Sequence, residues 1–221
     1  MDKRFLGILA AIVVIFVGVF ALSQHKSSKP GQNSVQATNH VMGDGQKGVK
    51  LTEYGDYQCP ICFIYYQPLK QAVGLYSKDI NFQFRNLPLV TAHHNAFAGA
   101  RAAEAADAQN KYWQMHDLLY ERQNEWATSA NPLTNFKTYA ASLGLNVSQF
   151  EQDYTSSKVN DAINADLDAF KQTGRPQQTP TFFLDGQVLE NSSLVDPQTG
   201  APSAAKIAAT IQAAIDKKTT H

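Results

Sequence analysis

Cys59 and Cys62 are the two cysteines of this 221-residue chain, and they stand three positions apart as Cys59-Pro60-Ile61-Cys62. Pro60 suits the first position of a helix, where its missing N–H has no partner to lose. Residues i and i+3 share a face in the first helical turn, so the two sulfurs can close a disulfide. Cys59 falls where unpaired backbone N–H groups and the helix dipole favour negative charge, which stabilises a thiolate. A thiolate attacks disulfides, and a stable thiolate also leaves readily. Cys62, one turn further in, can then resolve a mixed disulfide. A structural staple fits less well: so short a loop contributes about 2 kcal/mol, against about 4.7 kcal/mol for a 100-residue loop. A zinc pair needs two more ligands from six histidines. Of these, His93 and His94 are adjacent and would point apart on a helix. Redox chemistry at Cys59 and Cys62, with no metal and no organic cofactor, is the reading that remains.

Such a pair needs a strand to end beside it and a helix to begin at it. Residues 49–54 (VKLTEY) alternate and run into the turn-like GDY, which predicts a strand. The helix from Cys59-Pro60 meets Pro68 about two turns in, where a kink or break is expected. Residues 80–87 place Ile80, Phe82 and Phe84 on one face of a second strand, completing a βαβ unit with parallel strands. Residues 92–173 read as helical throughout. Their stripes are Tyr112, Met115 and Leu119; Leu133, Phe136, Ala140 and Leu143; and Val159, Ile163, Leu167 and Phe170. Asn146 and Gln149 resemble a capping box. Thr181–Leu184 ends in Asp185-Gly186, a hairpin signal, with Gln187–Leu189 returning. A last helix carries Ile207, Ile211 and Ile215 on one face, with Lys217 and Lys218 at its C-terminal end. The order is a small α/β sheet with an inserted helical subdomain. Gly43, Gly45 and Gly48 have the spacing of a dinucleotide fingerprint, but they precede the first strand, so that reading is discarded.

Residues 5–22 contain no charge, and 18 residues of helix reach about 27 Å, close to the thickness of a bilayer core. Lys3 and Arg4 precede the run, which suits an N-terminus in the cytoplasm. An uncleaved anchor and a signal peptide cut after Ala21 or Ser23 both fit, and the length of the run favours the anchor. Residues 23–47, rich in Ser, Gln, Asn and Gly, read as a flexible tether. Everything beyond would lie outside the cytoplasm, where a disulfide persists.

The stretch from Glu53 to Cys62 (EYGDYQCPIC), the Asn86-Leu-Pro-Leu segment, the Ala-rich helix from Ala96, the run Lys111 to Asp117 (KYWQMHD), the turn at 143–145 and Thr179-Pro180-Thr-Phe-Phe-Leu184 occur in that order. Over residues 42–217 this resembles the DsbA-like family of thioredoxin-fold thiol–disulfide oxidoreductases, above all its membrane-tethered extracytoplasmic members. The resemblance implies a thioredoxin fold (βαβ … ββα) with an inserted all-helical subdomain, preceded by a transmembrane helix. The implied organisation is an anchor at 1–22, a linker at 23–47, a thioredoxin-fold domain at 48–91 and 174–219, and the insertion at 92–173. It also implies that Pro180 is a cis-proline beside the sulfurs and that Thr179 lends backbone to an extended substrate. Glu53, six residues before Cys59, matches a buried acid that relays protons to or from the second cysteine. The dipeptide Pro60-Ile61 departs from the strongly oxidising members, which carry a histidine there. Arg175 and Pro176 have no assigned role, and Arg175 could either face the thiolate or be solvated.

The expected activity is oxidation of thiols in reduced or misoxidised extracytoplasmic proteins. An unidentified redox partner would reset the cysteine pair, and the N-terminal helix would hold the chain to a membrane. A reductase or isomerase would use the same site in reverse, and a peptide-binding holdase with an incidental disulfide is the alternative of another class. Basic and acidic side chains number 19 each, so no nucleic-acid groove is expected. Hydrophobic residues at 43% and charged residues at 17% exclude a disordered chain. No G-x-S-x-G or H-E-x-x-H supports a hydrolase.

Overall fold

The structure, a computed structural model, describes residues 36–220. The apolar run at 5–22 and most of the expected tether lie outside the described residues. Within them, strand β1 (His40–Met42) is followed by β2 (Val49–Gly55), helix α1 (Pro60–Leu75) and β3 (Ile80–Asn86). The helical block holds α2 (Ala96–Asp107), α3 (Tyr112–Glu121), α4 (Gln123–Trp126), α5 (Pro132–Ser142), α6 (Val147–Tyr154) and α7 (Ser157–Gln172). Strands β4 (Thr181–Leu184) and β5 (Gln187–Leu189), a short 3-10 turn (Asn191–Leu194) and α8 (Ala204–Thr219) complete the chain.

The sheet order is β1-β3-β2-β4-β5. Only β2 and β3 run parallel, joined by α1; the other pairs are antiparallel. Alternation along β2 sorts its side chains. Leu51 meets Leu69 of α1 and Ile207 and Ile211 of α8 on one face. Tyr54 packs edge-on against Phe170 of α7 on the other, ring centroids 5.0 Å apart. The insertion closes over the first face as well, through Trp113 on Phe82 and His116 on Phe84. Helices therefore cover both faces, and the strand that leads to the cysteines lies in the middle of the sheet.

Two expectations need correction. The tether does not extend to residue 47, because β1 pairs antiparallel with β3 at the sheet edge. Thr38, just ahead of it, donates its backbone N–H to Asp166 at 2.7 Å and its hydroxyl to the same carboxylate. Gly43 and Gly45, both at positive φ, make the turn after β1. A Cβ at Gly43 would collide with the Ile80 carbonyl, so the glycines that looked like linker composition serve close backbone packing. Pro68 does not break α1, which runs unbroken from Pro60 to Leu75. The carbonyl deprived of its donor belongs to Ile64, on the exposed side of the helix, where water can take the place of the missing N–H.

The helical stripes face inward as their spacing requires: Met115, Leu119, Phe136, Ala140, Ile163, Phe170 and Ile207 are all buried. Half of the capping box forms, with Gln149 donating its backbone N–H to Asn146 Oδ1 at 3.0 Å. Its other half is replaced by a Gln149 side chain turned to Asp153. Asp185 and Gly186 both sit at positive φ in the β4–β5 hairpin, as a two-residue turn of this kind demands.

Candidate active site

Cys59 is the N-cap of α1, in extended conformation, and Pro60 opens the helix. The turn before it is fastened from several sides. Cys59 donates its N–H to the Asp56 carbonyl at 3.1 Å. The Asp56 carboxylate, buried, accepts from Gln58 N (2.8 Å), Leu89 N (2.9 Å) and His93 Nδ1 (2.8 Å). Gln123 of the insertion donates to the carbonyls of Tyr57 and Cys59. Gln58 bridges Ala127 O and Asn95 N. The insertion and the 88–95 loop thus hold the cysteine turn in place.

Thr179-Pro180 is a cis peptide. It lies against the pair, with the Cys59 thiol 3.5 Å from the Thr179 carbonyl oxygen. Asn191 donates to the Pro180 carbonyl at 3.0 Å, and Tyr65 of α1 donates to the Asn191 carbonyl. The Thr179 hydroxyl is buried with no partner, a donor left free for a Cys59 thiolate.

Both cysteines are buried and reduced, yet their surroundings act in opposite directions. The Cys62 thiol donates toward Cys59 and, despite burial, brings its pKa down to about 6; Thr179 and the backbone N–H groups of Cys62 and Ile61 add to the effect. Burial pushes Cys62 well up, and the hydrogen bond to Cys59 pushes the same way. Glu53 stands on central strand β2, flanked by Phe84 of β3 and Phe182 of β4. Burial raises its pKa to about 8, with the nearby Cys59 charge a second cause. Ile61, Phe63 and Ile64, in the first turns of the helix that Cys59 caps, leave about half of their surface exposed, and so does Val90 in the loop tied to Asp56.

The structure brings Cys59, Cys62, Thr179 and Pro180 together and places Glu53 beneath them. Arg175 stands apart: it is half-exposed and pairs with Glu190 at 3.7 Å. No group of His, Cys, Asp or Glu suited to a metal ion occurs among the described residues. Sequence reasoning missed Asp56, Gln58, His93, Gln123 and Asn191. Asp56 alone left a trace, as an acid three residues before the nucleophile.

Residues 35–201 match the family model described as thioredoxin, and the chain belongs to that family. A thioredoxin-like oxidoreductase from Silicibacter pomeroyi superposes with a TM-score of 0.62 at 22% identity, covering 83% of this chain and 93% of that one. DsbA2 of Pseudomonas aeruginosa superposes with a TM-score of 0.55 at 25% identity, covering 81% and 94%. Family, fold and the apposed cysteine pair define a DsbA-like thiol–disulfide oxidoreductase. Among curated sequences, the chain is similar to the Na(+)/H(+) antiporter NhaA 1 of Mycolicibacterium vanbaalenii, 31% identical over 198 residues. It spans 31% of that protein's length, while the match covers 84% of this chain. The likeness is thus one of a shared domain. No helix among the described residues is long and apolar enough to cross a membrane.

Proposed function

We propose that the chain oxidises protein thiols through the Cys59–Cys62 pair, outside the cytoplasm and tethered by its N-terminal segment. The opposed electrostatics of the two sulfurs carry this reading. A substrate thiolate attacks Cys59 of the disulfide and the S–S bond breaks toward Cys62. Cys62, whose thiolate is disfavoured, takes a proton from Glu53, which still holds one at neutral pH. A second substrate thiol attacks the mixed disulfide and expels Cys59 as a stabilised thiolate. Two electrons pass from the substrate to the pair, and a redox partner must later remove them. The Thr179 backbone beside Pro180 offers the edge on which an extended substrate pairs.

A stabilised Cys59 thiolate favours the reduced pair, and so makes the disulfide a better oxidant. Equilibration with glutathione should give a potential less negative than the thioredoxin value of about −270 mV. A value at or below it would assign the reductase reading instead. Three of the exposed large apolar residues, Ile61, Phe63 and Ile64, lie in the first turns of the helix that Cys59 caps, which favours disulfide exchange over a holdase. The apolar run at 5–22 supports the tether and the extracytoplasmic placement. Protease added to intact cells or spheroplasts should reach the domain, and full protection until lysis would overturn that topology.

A further inference from the structure

On the face of the sheet that carries α7, a cavity of about 270 Å³ opens beside Thr173, just past the end of that helix. Alternation along the strands puts Lys50, Thr52 and Tyr54 of β2 and Gln83 and Arg85 of β3 on this face, with Phe183 of β4 beside them. The floor is neutral and already paired. The Thr52 hydroxyl donates to Gln83 Oε1 at 3.4 Å, and Gln83 Nε2 donates to the Thr38 carbonyl at 3.1 Å. The charged side chains of the lining are Lys50 and Arg85, both positive and both half-buried. Tyr54 holds Arg85 in place, its hydroxyl accepting from Nη1 at 2.9 Å. Arg85 Nη2 and Lys50 Nζ have no partner among the described residues, and neither is closed off from solvent. Arg122 and Arg175, which are more exposed, each hold a carboxylate. The carboxylate of Asp185, next to the start of β2, is taken by Lys218 at 3.0 Å and by the Lys50 backbone N–H at 2.8 Å. Burial and the Arg85 charge lower the Lys50 pKa, and no carboxylate acts the other way.

We propose that this cavity binds a phosphate monoester, whose terminal oxygens accept from Lys50 Nζ and Arg85 Nη2 while its organic arm lies on Phe183. The chemistry follows from the charges. Two half-buried cations on one face repel each other, and burial without a countercharge costs stability. The ligand that balances both carries two negative charges on one small group. At neutral pH a phosphate monoester carries about −1.5 to −2, whereas a carboxylate, a sulfate ester or a phosphate diester carries a single charge. Charge-assisted hydrogen bonds from an ammonium and a guanidinium to phosphate are among the strong ones. Pockets that enclose whole small molecules begin at about 300 Å³, so this one takes a phosphate on a short arm and leaves no room for a large cofactor. The headgroup of phosphatidate and a free glycerol phosphate present this same group.

The full-length chain in phosphatidylcholine nanodiscs is titrated with glycerol 3-phosphate by calorimetry at constant ionic strength. Binding should saturate at one per chain, and dimethyl phosphate, with its single charge, should bind at least about tenfold more weakly. Lys50→Gln and Arg85→Gln should each weaken glycerol 3-phosphate at least about tenfold, the loss of one charge-assisted hydrogen bond. Arg85→Lys keeps the charge and should recover part of the affinity. Lys137→Gln removes an exposed charge in the insertion, where Lys137 pairs with Glu151, and should leave binding unchanged. Thermal unfolding gives a second readout. Without ligand, Lys50→Gln should raise the midpoint by relieving the repulsion, and glycerol 3-phosphate should raise the wild-type midpoint but not that of Lys50→Gln. Neither saturable heat nor a midpoint shift at millimolar glycerol 3-phosphate overturns the site. So does equal weakening by Lys137→Gln, the mark of diffuse attraction, and equal binding of dimethyl phosphate overturns the monoester. In nanodiscs that carry phosphatidate, loss of glycerol 3-phosphate binding assigns the site to the lipid headgroup, and unchanged binding assigns it to a free phosphate ester; either result upholds the site. No thiol takes part in these measurements, so the site stands or falls separately from the oxidoreductase reading.

Discussion

The front and the back of the cysteine pair differ in almost every respect, although one helical turn separates the two sulfurs. In front, Cys59 meets Thr179 and its unspent hydroxyl, and exposed apolar side chains follow it in the first turns of α1. Behind, Cys62 faces Glu53 and Tyr120, with no fixed countercharge. The same functional group is therefore an acid of pKa about 6 at Cys59 and a proton holder at Cys62. Position on the helix explains only part of this, because the largest influence on Cys59 is its partner's own thiol. In the proposed reaction this contrast gives the pair a direction: attack from the front, proton supply from behind.

The sharpest way to break the comparison is to remove one sulfur at a time. Cys59→Ser should lose exchange activity by at least about a thousandfold. Cys62→Ser should stop turnover yet accumulate mixed disulfides on Cys59, seen by mass spectrometry; trapping in the opposite variant would reverse the roles.

Asp56 anchors the front. Asp56→Ala leaves three donors without an acceptor, one of them His93, and should destabilise the protein by about 3 kcal/mol in denaturant unfolding. A loss under about 1 kcal/mol would show that the 88–95 loop is held by other means.

Glu53 tests the back. Its carboxyl is held neutral by burial, so Glu53→Gln should stabilise the fold by about 3 kcal/mol at pH 7. The folded pKa is raised above the unfolded one, so the gain is absent below pH 4.5 and grows as pH rises toward 8. A pH-independent difference would place the cause elsewhere. The same variant should slow exchange at pH 7.

Thr179→Val makes the smallest change, since it removes one hydroxyl from the front. The Cys59 pKa should rise by about one unit or less, read from thiolate absorbance in the Cys62→Ser background. In the wild-type chain the thiolate's contribution to the reduced form is complete above the free-thiol pKa of about 8.5 and is lost as pH falls through about 6. Thr179→Val should move the lower limit of that window upward, and an unmoved pKa would leave the hydroxyl without a part in thiolate stabilisation.

Local patterns made the βαβ order, the helical insertion, the Asp185-Gly186 hairpin and the cysteine turn legible, because periodicity and turn chemistry lie within a few residues of each other. The expectation for Pro68 failed because steric rules for an isolated helix say nothing of which side faces water. β1 was hidden in a polar stretch because three residues carry too little pattern. What holds that stretch, the pairing of Thr38 with Asp166, spans 128 positions. Asp56 and Asn191 were opaque for the same reason: their partners lie far along the chain. The chemistry was written locally, while the parts that aim it were written across the fold.

The Thr38–Asp166 clasp also has a mechanical meaning. Any load that enters the domain from its N-terminal side reaches Thr38 before it reaches the sheet. Asp166 is itself held by the backbone N–H and side-chain amide of Asn86, at the end of β3. Tension is therefore handed to α7 and to the end of β3 together, where Asn86 pairs with Gly55, the last residue of β2 before the cysteine turn. Pulling on the chain would therefore load the strand end beside which the cysteine turn begins, so the mooring and the frame of the sulfurs share one strut.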